Sequence, residues 1–196
     1  MRPGRACRFR DSLPAGRRPE IEVGISTAFG CTIQGEVPED RVIEVAVRLA
    51  REGADSVGLS DGVGYANPAQ VRRLFRRLRA ELGEKAGGAH LHNTRGQGLA
   101  NVVAALEVGV ATFDASQGGI GGCPYAPGAT GNIATEDMVN MLHGMGIETG
   151  IDLDRLLDVA TMHKEFIPHP LDSSLLRAGR GNVFLPAPER QQKVAS

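Results

Sequence analysis

From Ile21 onward the chain repeats one unit, a short apolar strand, a turn and a helix of three to four turns, and this alternation limits the possible folds more than any other feature. Strands paired in parallel must be joined by crossovers, and right-handed crossovers lay each helix against the sheet. The spacing predicts strands over residues 21–28, 56–60, 89–93 and 111–116. The first helix starts at Pro38, carries Val42, Val45, Ala46 and Leu49 on one face and stops at Gly53. The second is capped by Asn67 with Pro68 behind it, and is apolar at Val71, Leu74, Phe75, Leu78 and Leu82. Further helices are predicted over residues 97–108, 136–143 and 152–163, and the stretch after Pro168 reads as irregular. A weak repeat supports the scheme: Gly53, Ser60 and Gly62 recur as Gly109, Ser116 and Gly118 at identical spacing. The expected fold class is α/β with a parallel sheet, either open and doubly wound or closed as a barrel.

Composition narrows the function. A net charge of −1 lacks the basic face that phosphate binding requires, which argues against a nucleic-acid partner. No apolar run approaches the ~18 residues of a membrane helix, so no membrane partner is expected. Cys7, Cys31 and Cys123 are too few and too unevenly spaced for a disulfide framework, which favours a reducing, cytoplasmic setting. Residues 1–19 hold six arginines and three prolines with no apolar run, and read as a disordered leader rather than a targeting helix. The organisation is then a leader over 1–19, one α/β domain over 20–165 and an irregular tail over 166–196. Arg72, Arg73, Arg76, Arg77 and Arg79 read as a solvated helix face rather than an anion patch, because the apolar stripe already orients that helix.

In parallel α/β folds chemistry gathers where strands end and loops begin. Gly62-Val63-Gly64 and Gly119-Ile120-Gly121 do not complete a dinucleotide fingerprint. His90-Leu91-His92 is the sharpest signal, because residues two apart on a strand face the same side and offer two imidazoles to one metal ion. His143, His163 and His169 read as surface or capping residues. Cys123 sits among Gly118, Gly119, Gly121 and Gly122, a composition suited to a mobile lid carrying a reactive thiol rather than to a core. Cys31 reads equally well as a second thiol or a small packing residue. Asp61 reads as a catalytic acid or as a turn former before Gly62.

These residues together resemble the 3-hydroxy-3-methylglutaryl-CoA lyase family of metal-dependent lyases built on a TIM barrel. The segment from Gly121-Gly122-Cys123-Pro124-Tyr125 through Asn132-Ile133-Ala134-Thr135-Glu136-Asp137 is similar to the family signature almost without a gap. Gly30-Cys31, Leu59-Ser60-Asp61-Gly62 and His90-Leu91-His92-Asn93-Thr94-Arg95-Gly96-Gln97 extend the match over residues 21–162. The resemblance implies a partial (β/α)8 barrel, about strands five to eight, and a retro-Claisen cleavage of an acyl-CoA substrate with Mg²⁺ or Mn²⁺ as cofactor. It further implies His90, His92 and Asn132 as metal ligands, Cys123 as the lid thiol that manages the enolate proton, and Asp61 and Glu136 as catalytic polar residues. A hard cation with imidazole and oxygen ligands acts as a Lewis acid, and a dry lid protects an enolate, so the chemistry agrees with the residue types.

Two departures stand out. Asn93 occupies a position where many relatives carry Asp. The family's first-strand Arg-Asp-Gly-Leu-Gln motif has only an echo in Arg10-Asp11-Ser12-Leu13, which no apolar strand precedes and which reads as chance. Competing functions are a lyase for citramalyl-CoA or a longer 3-hydroxyglutaryl-CoA derivative, or a truncated non-catalytic association module; an amidohydrolase would need further strand-borne histidines. Four strands of a barrel would leave two unpaired edges and an apolar interior face uncovered, so a homo-oligomer is expected.

Overall fold

A computed structural model describes residues 12, 14, 19–123, 126 and 128–181. The expected leader and the Arg10-Asp11-Ser12-Leu13 echo lie almost wholly outside the described residues. The elements are β1 (Glu22–Ile25), α1 (Glu39–Arg51), β2 (Ser56–Asp61), α2 (Pro68–Leu82), β3 (Ala86–Leu91), α3 (Gly98–Leu106), β4 (Phe113–Asp114), α4 (Thr135–Gly144), α5 (Leu153–Phe166) and α6 (Ser174–Ala178). All strand pairs are parallel and the sheet order is β1-β2-β3-β4. Because every crossover steps in the same direction with the same hand, α1, α2 and α3 fall on one face. A doubly wound sheet needs a reversal of strand order, and none occurs among these strands.

The core is the layer between that face and the helices. Val57, Leu59, Ala89 and Leu91 from the strands pack with Val42, Ala46, Val71, Leu74, Phe75, Leu78 and Val102 from the helices. Asn67 caps α2 as predicted, its side-chain oxygen accepting the Gln70 amide at 3.0 Å. The arginines of α2 do more than face solvent. Arg73 and Arg77 pair with Glu39 and Asp40 of α1, and Arg72 pairs with Glu107 just beyond α3. These exposed pairs are screened by salt and align helices that the apolar stripe already holds.

Three sequence expectations are corrected. Strand β4 is only two residues long, because after Asp114 the chain turns away: Ser116 donates its amide to Ile133 and accepts from Thr135. The stretch after Pro168 is not wholly irregular, since α6 forms there. Its first turn is held by Asp137 of α4, whose carboxylate accepts from the Ser173 hydroxyl and from the amides of Ser174 and Leu175, each at 2.8 Å. Ser173 also caps the helix locally, its hydroxyl oxygen accepting the Leu176 amide at 3.2 Å, whereas the Asp137 partner, 36 residues away, leaves no signal in the sequence around α6.

The third correction concerns the sheet face opposite the helices. It is not apolar. Alternation places Val23, Ile25, Val57, Leu59, Ala89 and Leu91 toward the helices and Glu22, Gly24, Ser56, Gly58, Ser60 and His90 on the other side. Gly58 is required by close approach, since a Cβ there would lie 2.7 Å from the Gly88 carbonyl oxygen. This small and polar face supplies the floor of the site described below.

If Asp137 caps α6 from a distance, Asp137→Ala should raise amide hydrogen exchange across residues 174–178 by tenfold or more while β2 and β3 amides stay protected. Unchanged exchange in α6 would show that the helix holds itself.

Candidate functional site

Parallel register builds the site. Ser60 pairs with His90, and His90 with Asp114, so three polar side chains stand in one row across β2, β3 and β4. One residue pair further along β3, His92 lies on the same side. The row opens into a cleft of about 390 Å³ whose wall includes Ser26, Ser60, His90, His92, Asp114 and Cys123. The two sharpest sequence signals, the histidine pair and the glycine-flanked thiol, therefore meet in one cavity.

Within it the two imidazoles converge. Their Nε2 atoms are 3.2 Å apart and the rings meet edge to face. Adjacent ligand atoms on a small octahedral cation, at about 2.1 Å each, stand about 3 Å apart, so this spacing suits one ion. Burial, with the nearby His90 imidazole adding to it, pushes the His92 pKa below the usual histidine value and keeps the ring neutral, the form that ligates metal. Backbone pairing brings Asn132 beside His92. The Asn132 amide donates to the Ile120 carbonyl at 2.9 Å, while its Oδ1 is buried with no partner. A buried carbonyl oxygen of this kind is costly unless something binds it, and an amide oxygen is a normal ligand for a hard cation. Among the described residues no group of three or more His, Cys, Asp or Glu is arranged to hold a metal. The donor set that fits is two imidazoles and one amide oxygen.

Asp61 and Glu136 stand behind the cleft, not on its wall. Asp61 has the parity of Val57 and Leu59, so it points to the helix side, where its carboxylate accepts from the amides of Tyr65 at 2.8 Å and Ala66 at 3.0 Å. Burial raises its pKa, against the opposing pull of the Ala66, Tyr65 and Gly64 amides and the Arg95 charge. Arg95 reinforces the same loop, donating to the Val63 and Gly64 carbonyls at 3.1 Å and stacking over the Tyr65 ring. Glu136, fully buried in the first turn of α4, accepts the Gly118 amide with both oxygens, at 3.0 and 3.2 Å. That bond holds the root of the glycine loop that carries Cys123. Gly118 has φ 64° and Gly131 has φ 104°, and a Cβ on Gly131 would lie 2.6 Å from the Gly121 carbonyl oxygen. The glycines at the loop's root thus serve tight backbone packing.

Pro124, Tyr125 and Pro127 of the loop lie outside the described residues. Cys31 closes a small turn with Gly35 and does not line the cleft; the Gln34 and Ile33 amides lower its thiol pKa. His143 bonds Thr149 and His169 bonds the Pro170 carbonyl, both exposed and both away from the cleft. Asn93 accepts the Gly98 amide at 3.0 Å and so braces the start of α3. Asp114, Ser60 and Ser26 sit at the strand ends where chemistry is expected to gather, but the sequence assigns none of them a role in the site. The signal that finds them is the cross-strand register with His90, which only pairing reveals.

The HMGL-like family model matches residues 20–162. Hydroxymethylglutaryl-CoA lyase YngG of Bacillus subtilis is 44% identical over 153 residues, covering 78% of this chain and 51% of that protein. (R)-citramalyl-CoA lyase of Chloroflexus aurantiacus is 42% identical over 170 residues, 87% of this chain and 52% of that protein. The chain thus spans about half the length of the curated relatives it matches. An HMG-CoA lyase structure from Acinetobacter baumannii, in complex with coenzyme A and 3-methylmalate, is 40% identical with a TM-score of 0.84, covering 92% of this chain and 59% of that one.

Because the folded state holds the His92 pKa below its unfolded value of about 6.5, the unfolded chain takes up a proton that the folded chain refuses. Stability should be undiminished above about pH 6.5 and fall as the pH drops below it. His92→Gln should flatten that acid loss in melting temperature between pH 7.5 and 5; an identical slope in both proteins would remove His92 as its source.

Proposed function

The chain belongs to the HMGL-like family, and on that premise we propose that it carries the metal-holding and thiol-bearing part of a carbon–carbon lyase acting on a 3-hydroxy-3-carboxyalkyl acyl-CoA. The observation that carries this reading is the meeting of His90, His92 and Cys123 in one cleft on the polar face of the sheet. In this reading the four strands correspond to about strands five to eight of a (β/α)8 barrel, with the cleft at their carboxyl ends. The favoured substrate is 3-hydroxy-3-methylglutaryl-CoA, cleaved to acetyl-CoA and acetoacetate. Citramalyl-CoA is a second substrate reading, favoured by the likeness to the Chloroflexus lyase.

His90, His92 and Asn132 would hold one Mg²⁺ or Mn²⁺ ion. When bound, such a cation supplies Lewis acidity toward the substrate hydroxyl and carboxylate oxygens. The residues of this chain do the rest by position. With the hydroxyl proton passed to a general base, the bond between C2 and C3 breaks, its electron pair passing to the thioester enolate while C3 becomes the ketone of acetoacetate. Cys123, on the wall of the cleft, is placed to deliver a proton from Sγ to the enolate carbon, completing the methyl group of acetyl-CoA. Glu136 acts through the loop root by bonding Gly118, and Asp61 by closing the loop after β2; both are positioning residues. Serines 26 and 60 keep the wall polar where oxygens of the substrate would lie. The sheet ends at β1 and β4, and those edges are where a second copy or a complementing chain would pair.

Titration of Mn²⁺ into the protein tests the metal site without turnover. His92→Ala should reduce affinity at least a hundredfold, and unchanged binding would remove the assignment. Cys123→Ala, assayed by acetyl-CoA release in the catalytically competent assembly, should lower turnover by a thousandfold or more without altering Mn²⁺ affinity. Equal turnover would dismiss the thiol as proton donor.

A further inference from the structure

Among the described residues Asp114 is the one carboxylate on the wall of the cleft. Its register partner across β3 and β4 is His90, and its Oδ2 lies 3.7 Å from His90 Nδ1. The opposite nitrogen of the same ring, Nε2, is the atom that faces His92 at 3.2 Å. Asp114 is therefore at the back of the ring whose front faces the other imidazole. We propose that Asp114 is a positioning residue: it accepts the Nδ1–H of His90 and so fixes the tautomer that leaves Nε2 bare and directed at the centre of the cleft. This inference rests on the reading of His90 as a ligand and adds how that ligand is oriented.

The hydrogen-bond arithmetic of the pair agrees. If His90 Nδ1 carries the proton, its Nε2 is an acceptor, and in the metal-free protein His92 Nε2–H donates across the 3.2 Å contact; a cation held by both Nε2 atoms would displace that proton. His92 Nδ1 is then a bare nitrogen, and that atom is buried without a hydrogen-bond partner. The opposite arrangement would leave a protonated Nδ1 of His92 buried with no acceptor and would also turn a bare His90 Nδ1 toward a carboxylate, two lone pairs facing each other. Asp114 favours the first arrangement because a carboxylate accepts and never donates when ionised. Outer carboxylates that hold a ligand imidazole in this way change metal affinity by about 10- to 100-fold when removed. The Asp114 side chain is largely exposed, at 74%, so replacing it does not threaten the core. The 3.7 Å separation is an ion-pair distance, longer than a hydrogen bond, so the proposal requires the carboxylate to close on Nδ1.

Two measurements on the 196-residue protein decide the role of Asp114. The first uses no metal: ¹H–¹⁵N long-range correlation of the histidine rings under mildly alkaline conditions. Wild type should show His90 protonated at Nδ1, Asp114→Ala should move it to the Nε2–H form, and Asp114→Asn, which keeps an acceptor oxygen, should retain the wild-type form. The second is Mn²⁺ calorimetry, where Asp114→Ala should weaken binding tenfold or more and Asp114→Asn by less than threefold. An unchanged tautomer or unchanged affinity in Asp114→Ala overturns the proposal. Equal large losses in both variants also overturn it, by making Asp114 a direct ligand. Absence of Mn²⁺ binding in wild type would sink the metal reading of the cleft, whereas the tautomer measurement would still decide what Asp114 does to His90.

Discussion

The parallel register that sets Ser60, His90 and Asp114 side by side governs both the fold and the cleft. Side chains alternate along each strand, so the same register that sends Leu59, Ala89 and Leu91 into the helix-covered core sends this polar row to the opposite face. A slip of one residue on β3 would bury His90 and His92 among leucines and put Leu91 in the cleft. The cost of burying two unpaired imidazoles and exposing the core row makes that slip unfavourable. Core packing and site geometry are therefore enforced by one constraint.

Loops that must hold shape without a core of their own are tied down by acidic side chains. Asp61 closes the turn after β2, Glu136 holds the glycine loop at Gly118, and Asp137 starts α6. Each carboxylate accepts from backbone amides, which are donors the loop cannot otherwise pair, and bonds to a charged acceptor are stronger than neutral ones. This division of labour leaves Cys123, Ser26 and Ser60 on the wall, where reacting groups would sit, and keeps two of the three acids implied by pattern or register away from it. Asp114 is the exception, and its place in the row beside His90 is what suggests its use.

A face built from Gly24, Gly58, serines and histidine has space beside its small residues for larger side chains and a polar ligand. It carries little apolar area for self-burial, so pairing with another chain would draw on the strand edges and on polar complementarity rather than on a greasy interior. The proposed donor set, two imidazoles and an amide oxygen, brings no negative charge as ligands. That leaves room for an anionic carboxylate to approach a divalent ion.

Much was already determined by sequence, for local physical reasons. The apolar periodicity gave the order of strands and helices, Asn67 and Pro68 marked the start of α2, and His90-Leu91-His92 announced two imidazoles on one face because strand alternation is a property of two adjacent residues. The glycine-flanked Cys123 was legible for the same reason. What depended on residues far apart was not legible. The shortness of β4 follows from Ser116 bonding Ile133 and Thr135, and the bracing of α6 by Asp137 adds to a local Ser173 cap a contact that no neighbouring residue announces. Asp61 and Glu136 read as acids of the site, but strand parity and the position of the Gly118 amide turned both into loop braces. The polar nature of the open face and the alignment of Asp114 with His90 were likewise decided by tertiary structure, because a sequence sets which side of its own strand a residue faces, while only pairing sets which residue of the next strand stands beside it.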